Sequence, residues 1–332
     1  MNVLCQQNYS IGMAELYDYT IIPFLKFIGC QHIIATSAMP LKSIYYYYLG
    51  VLPEIKNNIP AIADIPINEQ RRRGFANCHD QEISDMKKNI KIMVTFKNIG
   101  YYEKTNFEYL IQNDINFIFV NNQPFMDFQI QLNQQKIVNI GGITFPFNNM
   151  ELNEQELEYF NEAMQNGKRV ILVSFGTIVS GRNLTNEQIE NIIAIFNDLQ
   201  QYLFILKIEA EYINQNYNNI LRVDFMNQTA ILARPETVLF ISHCGMNSAL
   251  EAVKYGKPLI CIPFMFDQYY ISKALATHRV AIVLDKNNDT FEDLHNKIVF
   301  AQRRSEHMLA LQEDLGVKVT FKYFEYFCNN KY

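Results

Sequence analysis

VLFISHCGMNSALEAVKYGKPLICIPFMFDQYYISKAL, residues Val238 to Leu275, is the stretch that decides the fold. Its apolar pattern and turn residues predict strand, short turn, helix, strand, polar turn, helix. The first turn sets His243 and Gly245 at a helix start, and the second carries the adjacent pair Asp267 and Gln268. In an open parallel sheet both turns open beyond the carboxyl ends of the strands, where ligands bind. A helix start holding a His and a Gly suits a phosphate, because free N–H groups and the helix dipole both favour an anion.

Outward from that stretch, strands alternate with helices and imply a doubly wound α/β fold with parallel pairing. In the first half, strands are expected at His32–Ser37, Lys91–Thr95 and Phe117–Val120. Helices are expected around Ile21–Ile28, Pro40–Leu49 and Lys104–Gln112, and the polar stretch Asn68–Lys88 reads as helix with loops. The second half reads as helix Glu156–Asn166, strand Arg169–Ser174, helix Asn186–Gln200 and strands Leu203–Ile208 and Leu221–Phe225. Strand Ala281–Leu284 and helices from Thr290 onward close it. At 332 residues two domains are the default expectation. The polar, Pro-containing segment after Gly141-Gly142 is the natural linker.

The net charge of −5 argues against nucleic acid as a partner. The one dense basic cluster, Arg71-Arg72-Arg73, reads more simply as a solvated helix face or loop. The six cysteines show neither CxxC nor zinc spacing, and at this length no disulfide framework is expected, a single bond staying open. Cys244 and Cys261 read as small core residues. The first residues lack the pattern of a signal peptide, and no window offers the roughly 20 apolar residues of a membrane span.

Four loops, each at the end of a predicted strand, carry polar groups suited to a ligand. Ser174-Phe175-Gly176-Thr177 has hydroxyls flanking a Gly, though alone it is a plain strand-to-loop turn. Phe225-Met226-Asn227-Gln228 sets an aromatic beside amides that could stack on and bond a base. In His243-Cys-Gly-Met-Asn-Ser248, the bland alternative is specific: Ser248-x-x-Glu251 fits a capping box. Asp267-Gln268 could likewise cap the helix that follows.

Together the aromatic-amide pair, His-x-Gly-x-Asn-Ser-x-x-Glu and Asp-Gln resemble the signature of the UDP-glycosyltransferase family, which includes the animal glucuronosyltransferases. Asn121-Asn122-Gln123-Pro124, followed by Ile140-Gly141-Gly142-Ile143, is similar to that family's interdomain approach, and Ser174–Thr177 to its SFGT turn. The resemblance covers nearly the whole chain, and Glu15 with Phe27–Met39 resembles nematode members most. It implies a GT-B-like α/β architecture of two facing Rossmann-like domains, the N-terminal one incomplete. Residues 1–144 would be a partial acceptor-binding domain, 145–155 a linker and 156–312 the UDP-sugar domain. Residues 313–332 would form a helix packing back on the first domain.

The resemblance also implies roles. Phe225 stands where the family stacks a Trp on uracil, and Gln228 where a Gln faces base or ribose. His243 would contact the diphosphate, while Gly245, Asn247 and Ser248, with Ser174, Gly176 and Thr177, would cradle it. Glu251 would accept from the ribose hydroxyls, and Asp267 and Gln268 would bond the sugar. The implied reaction inverts the anomeric carbon and uses UDP-sugar as co-substrate, with no cofactor and no metal. A small lipophilic acceptor is implied, a homo-oligomer is allowed, and nucleic acid is excluded. Family members are anchored in the endoplasmic reticulum with a lumenal catalytic part.

Against that pattern, the family's general-base His falls upstream of Met1, whereas Glu15 stands at the place of its carboxylate partner. The family's membrane span would follow Tyr332. The chain is therefore expected to be the family with its first third missing, and the alternative is an inactive UDP-sugar-binding or scaffold protein. An unrelated nucleotide-binding regulator is a third, weaker reading. Cys244 and Phe266 stand where the family has Gly.

Overall fold

The apolar run predicted at Arg169–Ser174 lies at the centre of the larger sheet in the computed structural model. The structure describes residues 7–18, 20–52, 60–61, 67–96, 107–128, 135–143, 151–176, 183–213, 216–285 and 291–301. The expected linker falls largely, and the C-terminal helix wholly, outside them, as does Thr177. The chain divides into two compact units, Met1–Gly141 and Gly142–Tyr332.

In the first unit, strand β1 (Ile11–Glu15) leads through helix α1 (Ile21–Phe27) to β2 (His32–Ser37), α2 (Ser43–Tyr48), α3 (Ile67–Arg73) and α4 (Phe75–Phe96). One helical turn, Phe107–Tyr109, runs through a wide π turn into β3 (Ile115–Val120), and β4 (Ile137–Asn139) follows. The sheet order is β1-β2-β3-β4, with parallel pairing throughout. Gly74, at φ 83°, breaks α3 from α4 in a conformation that favours glycine. Arg72 and Arg73 lie exposed on α3 and pair with Glu69, so the basic cluster is a solvated helix face.

The strand expected at Lys91–Thr95 is instead the end of the 22-residue helix α4. Its apolar residues continue a spacing of three and four begun by the buried Ile83 and Met86, and the longer helical period outweighs a short apolar run.

A buried polar cluster joins α2 to α4. Ser43 donates its hydroxyl to Glu82, and Ser43 Oγ lies 2.7 Å from His79 Nδ1. Burial pushes the Glu82 carboxyl up to about 7, against the hydrogen bonds from Ser43 and the charge of Lys42.

The second unit runs α5 (Glu154–Gln165), β5 (Arg169–Ser174), α6 (Asn186–Asp198), β6 (Tyr202–Lys207), β7 (Ile220–Val223), α7 (Gln228–Ala233) and β8 (Thr237–Ser242). Then come α8 (Met246–Lys254), β9 (Leu259–Cys261), α9 (Asp267–Thr277), β10 (Ala281–Val283) and α10 (Phe291–Ala301). Thr185 starts α6 with a reciprocal cap: its hydroxyl accepts from Gln188 N, and Gln188 Oε1 accepts from Thr185 N. Ile189, Ile192, Ile193 and Phe196 form the buried face of α6, and Phe196 stacks on Phe204 of β6 at 4.2 Å between ring centres. The six parallel strands are ordered β10-β9-β8-β5-β6-β7. The order therefore reverses between β5 and β8, and at such a switch point helices on opposite faces leave a crevice beyond the strand ends. No helix among the described residues is long and apolar enough to cross a membrane.

Candidate functional site

Register brings the four loops to one sheet edge. Ser174, last residue of β5, stands opposite Ser242 of β8 on one side and Lys207 of β6 on the other. Two residues beyond Ser174 lies Gly176, and one beyond Ser242 lies His243, so the two loops meet over the switch point. The contact is close: a carbon added to Gly176 would fall 2.8 Å from His243 Cε1. One added to Gly245 would fall 2.6 Å from His243 Nε2. The imidazole is thus slotted between two glycines that cannot carry a side chain. Burial lowers the His243 pKa to about 4, helped by the charge of Lys207. At neutral pH the ring is uncharged and offers one N–H and one acceptor.

Helix α8 begins at Met246 with Gly245 as its N-cap, and no side chain caps it. The capping box that the sequence allowed as the bland alternative is therefore absent. Ser248 is the third helical residue rather than the N-cap, so Glu251 lies too far along the helix to reach back. The first turn of α8 therefore starts beside His243 with no cap from the Gly245 side. Asn247 is exposed on this first turn, and Ser248 is buried.

Glu251 instead turns toward α7. Gln228, the first residue of α7, donates Nε2 to Glu251 Oε2 at 2.5 Å and to Ser248 Oγ at 3.2 Å. Desolvation raises the Glu251 pKa, against the Gln228 bond and Lys254. Asn227 holds the helix start by accepting from Ala230 N at 3.2 Å. Three residues before Gln228, the Phe225 ring is 78% exposed, a large apolar face left to solvent.

The Asp-Gln pair opens α9, with Phe266 as its N-cap. Asp267 is the first helical residue. Gln268 is buried and accepts through Oε1 from Phe264 N at 2.8 Å and Met265 N at 3.2 Å. Its carbonyl thus shapes the loop, which leaves the amide N–H groups for any further partner.

Cys244 and Cys261 are fully buried but not free thiols: they form a disulfide across a Cα separation of 5.4 Å. The expectation of two plain core cysteines is corrected here. Seventeen residues of separation give no spacing cue. Only the register, which sets Ser242 opposite Cys261, brings the pair within disulfide range. Cys244 adopts φ 60° and Phe266 φ 48°. Left-handed backbone is costly for these residues, and both stand where the resemblance has Gly.

Glu15 ends β1 in the first unit, exposed, and accepts from Thr36 Oγ1 at 3.2 Å. Partial desolvation raises its pKa, opposed by that bond. The two motif pieces near the unit boundary touch: Gln123 Nε2 donates to Gly141 O at 2.7 Å, and a carbon on Gly141 would strike the Asn122 backbone. Lys207 was not singled out in the sequence. Its only cue there is its position at the carboxyl end of an apolar strand.

The family model described as "UDP-glucoronosyl and UDP-glucosyl transferase" matches residues 102–306. The chain belongs to that family. Over 156 residues it is 36% identical to a Caenorhabditis elegans protein provisionally named UDP-glucuronosyltransferase ugt-48, covering 46% of this chain and 29% of the relative. It is 26% identical over 299 residues to the similarly named ugt-47 of Caenorhabditis briggsae, covering 86% of this chain and 55% of the relative. The chain thus spans about half the length of ugt-47 and less of ugt-48. Among solved structures, a UDP-glucose:anthocyanidin 3-O-glucosyltransferase in complex with UDP matches at TM-score 0.63 and 16% identity, over 95% of this chain and 72% of that one. At that identity the likeness speaks for the fold, and the α/β architecture with parallel sheets is that of the GT-B glycosyltransferases. Family membership sets aside the reading as an unrelated nucleotide-binding regulator.

Proposed function

We propose that the chain binds a UDP-sugar on its second unit and serves inverting transfer of the sugar to a hydroxyl of a small lipophilic acceptor. The observation that carries this reading is the convergence of Gln228, Ser248 and Glu251 beside the uncapped start of α8. In this arrangement Glu251 accepts from the ribose hydroxyls, and Phe225 stacks on uracil. His243 and the α8 N–H groups meet the diphosphate. Asp267 and the amide of Gln268 bond the sugar.

In the reaction, the acceptor oxygen forms its bond to the anomeric carbon as the bond to the diphosphate oxygen breaks. The electron pair stays on UDP, and the acceptor proton passes to a general base, for which the family resemblance gives Glu15 as the carboxylate partner. Charge grows on the diphosphate, where donors already aimed at it stabilise the transition state without reorganising. No metal is called for by this arrangement. The Cys244–Cys261 bond favours an oxidising compartment, in keeping with a lumenal setting.

Calorimetric titration with UDP tests the donor site. Saturable binding at micromolar to millimolar UDP is expected, and no heat at millimolar UDP would overturn the reading. Release of UDP from UDP-glucose or UDP-glucuronate with a phenolic acceptor then tests transfer.

A further inference from the structure

We propose that Lys207 is the charge partner of the donor's diphosphate, a binding residue at the same site; this rests on the reading of the second unit as a UDP-sugar site. Lys207 ends β6 in register with Ser174, so its Cα lies one strand from the β5 loop and on the same edge as His243. Its ammonium crosses that gap and donates to Gly176 O at 2.9 Å. Gly176 in turn packs on the His243 ring. The ammonium therefore stands at the junction of the two loops that flank the switch point.

Among the described residues the charge at this junction has no carboxylate counterpart, and the single hydrogen bond of Lys207 leaves two N–H donors. The neighbouring His243 is neutral near pH 7 and supplies no charge. The start of α8 supplies about half a unit of positive charge. A nucleoside diphosphate carries more negative charge than that, and a half-buried ammonium supplies what the loops lack. Lysine suits the task as a compact point charge whose donors rotate to either phosphate.

The test compares UDP with uridine, which shares the base and ribose but has no phosphate. Lys207→Met should weaken UDP binding by about tenfold or more while leaving uridine affinity unchanged. It should also flatten the salt dependence of UDP binding, and Lys207→Arg should restore most of the loss. If Lys207→Met does not fold, Lys207→Gln, which keeps a donor for Gly176 O and removes the charge, gives the same comparison. Unchanged UDP affinity in the neutral variant, or equal losses for UDP and uridine, would overturn the proposal. A wild-type chain that binds no UDP would instead sink the donor-site reading on which it rests.

Discussion

Gln228 and Glu251, on different helices and 23 residues apart in sequence, share a hydrogen bond of 2.5 Å from amide to carboxylate. The bond holds Glu251 at the head of α7, with one carboxylate oxygen bonded to Gln228. If the other meets a ribose, Glu251→Gln should weaken UDP binding roughly tenfold or more, the scale of a hydrogen bond to a charged acceptor. The variant should also lose its preference for UDP over 2′-deoxy-UDP. Calorimetry with both nucleotides reads this, and an intact preference would remove Glu251 from the site.

Phe225 presents its ring to solvent at the head of the α7 loop. Stacking a base on an aromatic is worth about 1–3 kcal/mol by alanine substitution. Phe225→Ala should therefore weaken UDP by about fivefold to a hundredfold, and Phe225→Trp should tighten it. Because the ring is exposed, neither change should shift the melting temperature much. A large stability loss in Phe225→Ala would mean the ring packs rather than binds.

The Cys244–Cys261 bond closes a 17-residue separation, for which chain-entropy arguments give about 3 kcal/mol of stabilisation. Reductant should lower the unfolding midpoint of the second unit. Two double variants separate the bond from the backbone. Cys244→Gly with Cys261→Ala should be more stable than Cys244→Ala with Cys261→Ala by about 1 kcal/mol, since glycine tolerates the left-handed conformation at 244. Urea melts of both decide it. Equal stabilities would show that the backbone at 244 relaxes once the bond is gone.

Two buried groups give opposite pH dependences. Glu82 has a folded pKa of about 7 against an ordinary 4.5, so the folded state holds a proton the unfolded state has released. Its contribution to stability is full below about pH 4.5 and falls as pH rises to about 7. His243, lowered from 6.5 to about 4, does the reverse: stability rises with pH across that window. Around Glu82, the hydrogen bonds from Ser43 and the charge of Lys42 oppose the burial effect without reversing it, and buried Tyr46 lies close enough to feel the carboxylate. Glu82→Gln should abolish the fall between pH 5 and 7 in urea melts reporting the first unit. If the fall persists, another group in that unit is its source.

The parallel sheet was legible because β2 and β5 are apolar runs bounded by turn residues, and their ends fall at the residues the pattern predicts. The four loops were legible because each follows such a run. What pattern could not supply was distance across strands. The disulfide and the place of Lys207 follow from register, which sets Ser242 opposite Cys261 and Ser174 opposite Lys207. The capping box, allowed by the sequence as the bland alternative, fails to form for a local reason: three residues decide where a helix starts, and Gly245 takes the N-cap position ahead of Ser248. At Lys91–Thr95 the window was too short to expose the period of the long helix containing it.

The slot that holds His243 bears on the cost of occupancy. A ring fixed between two α-carbons has already surrendered its rotational freedom during folding, so a ligand that bonds it owes little entropy for immobilising it. Where a free histidine would need to find its orientation at each encounter, this one is aimed in advance. The two glycines, which contribute no functional group, thereby set how much of each hydrogen bond survives as affinity.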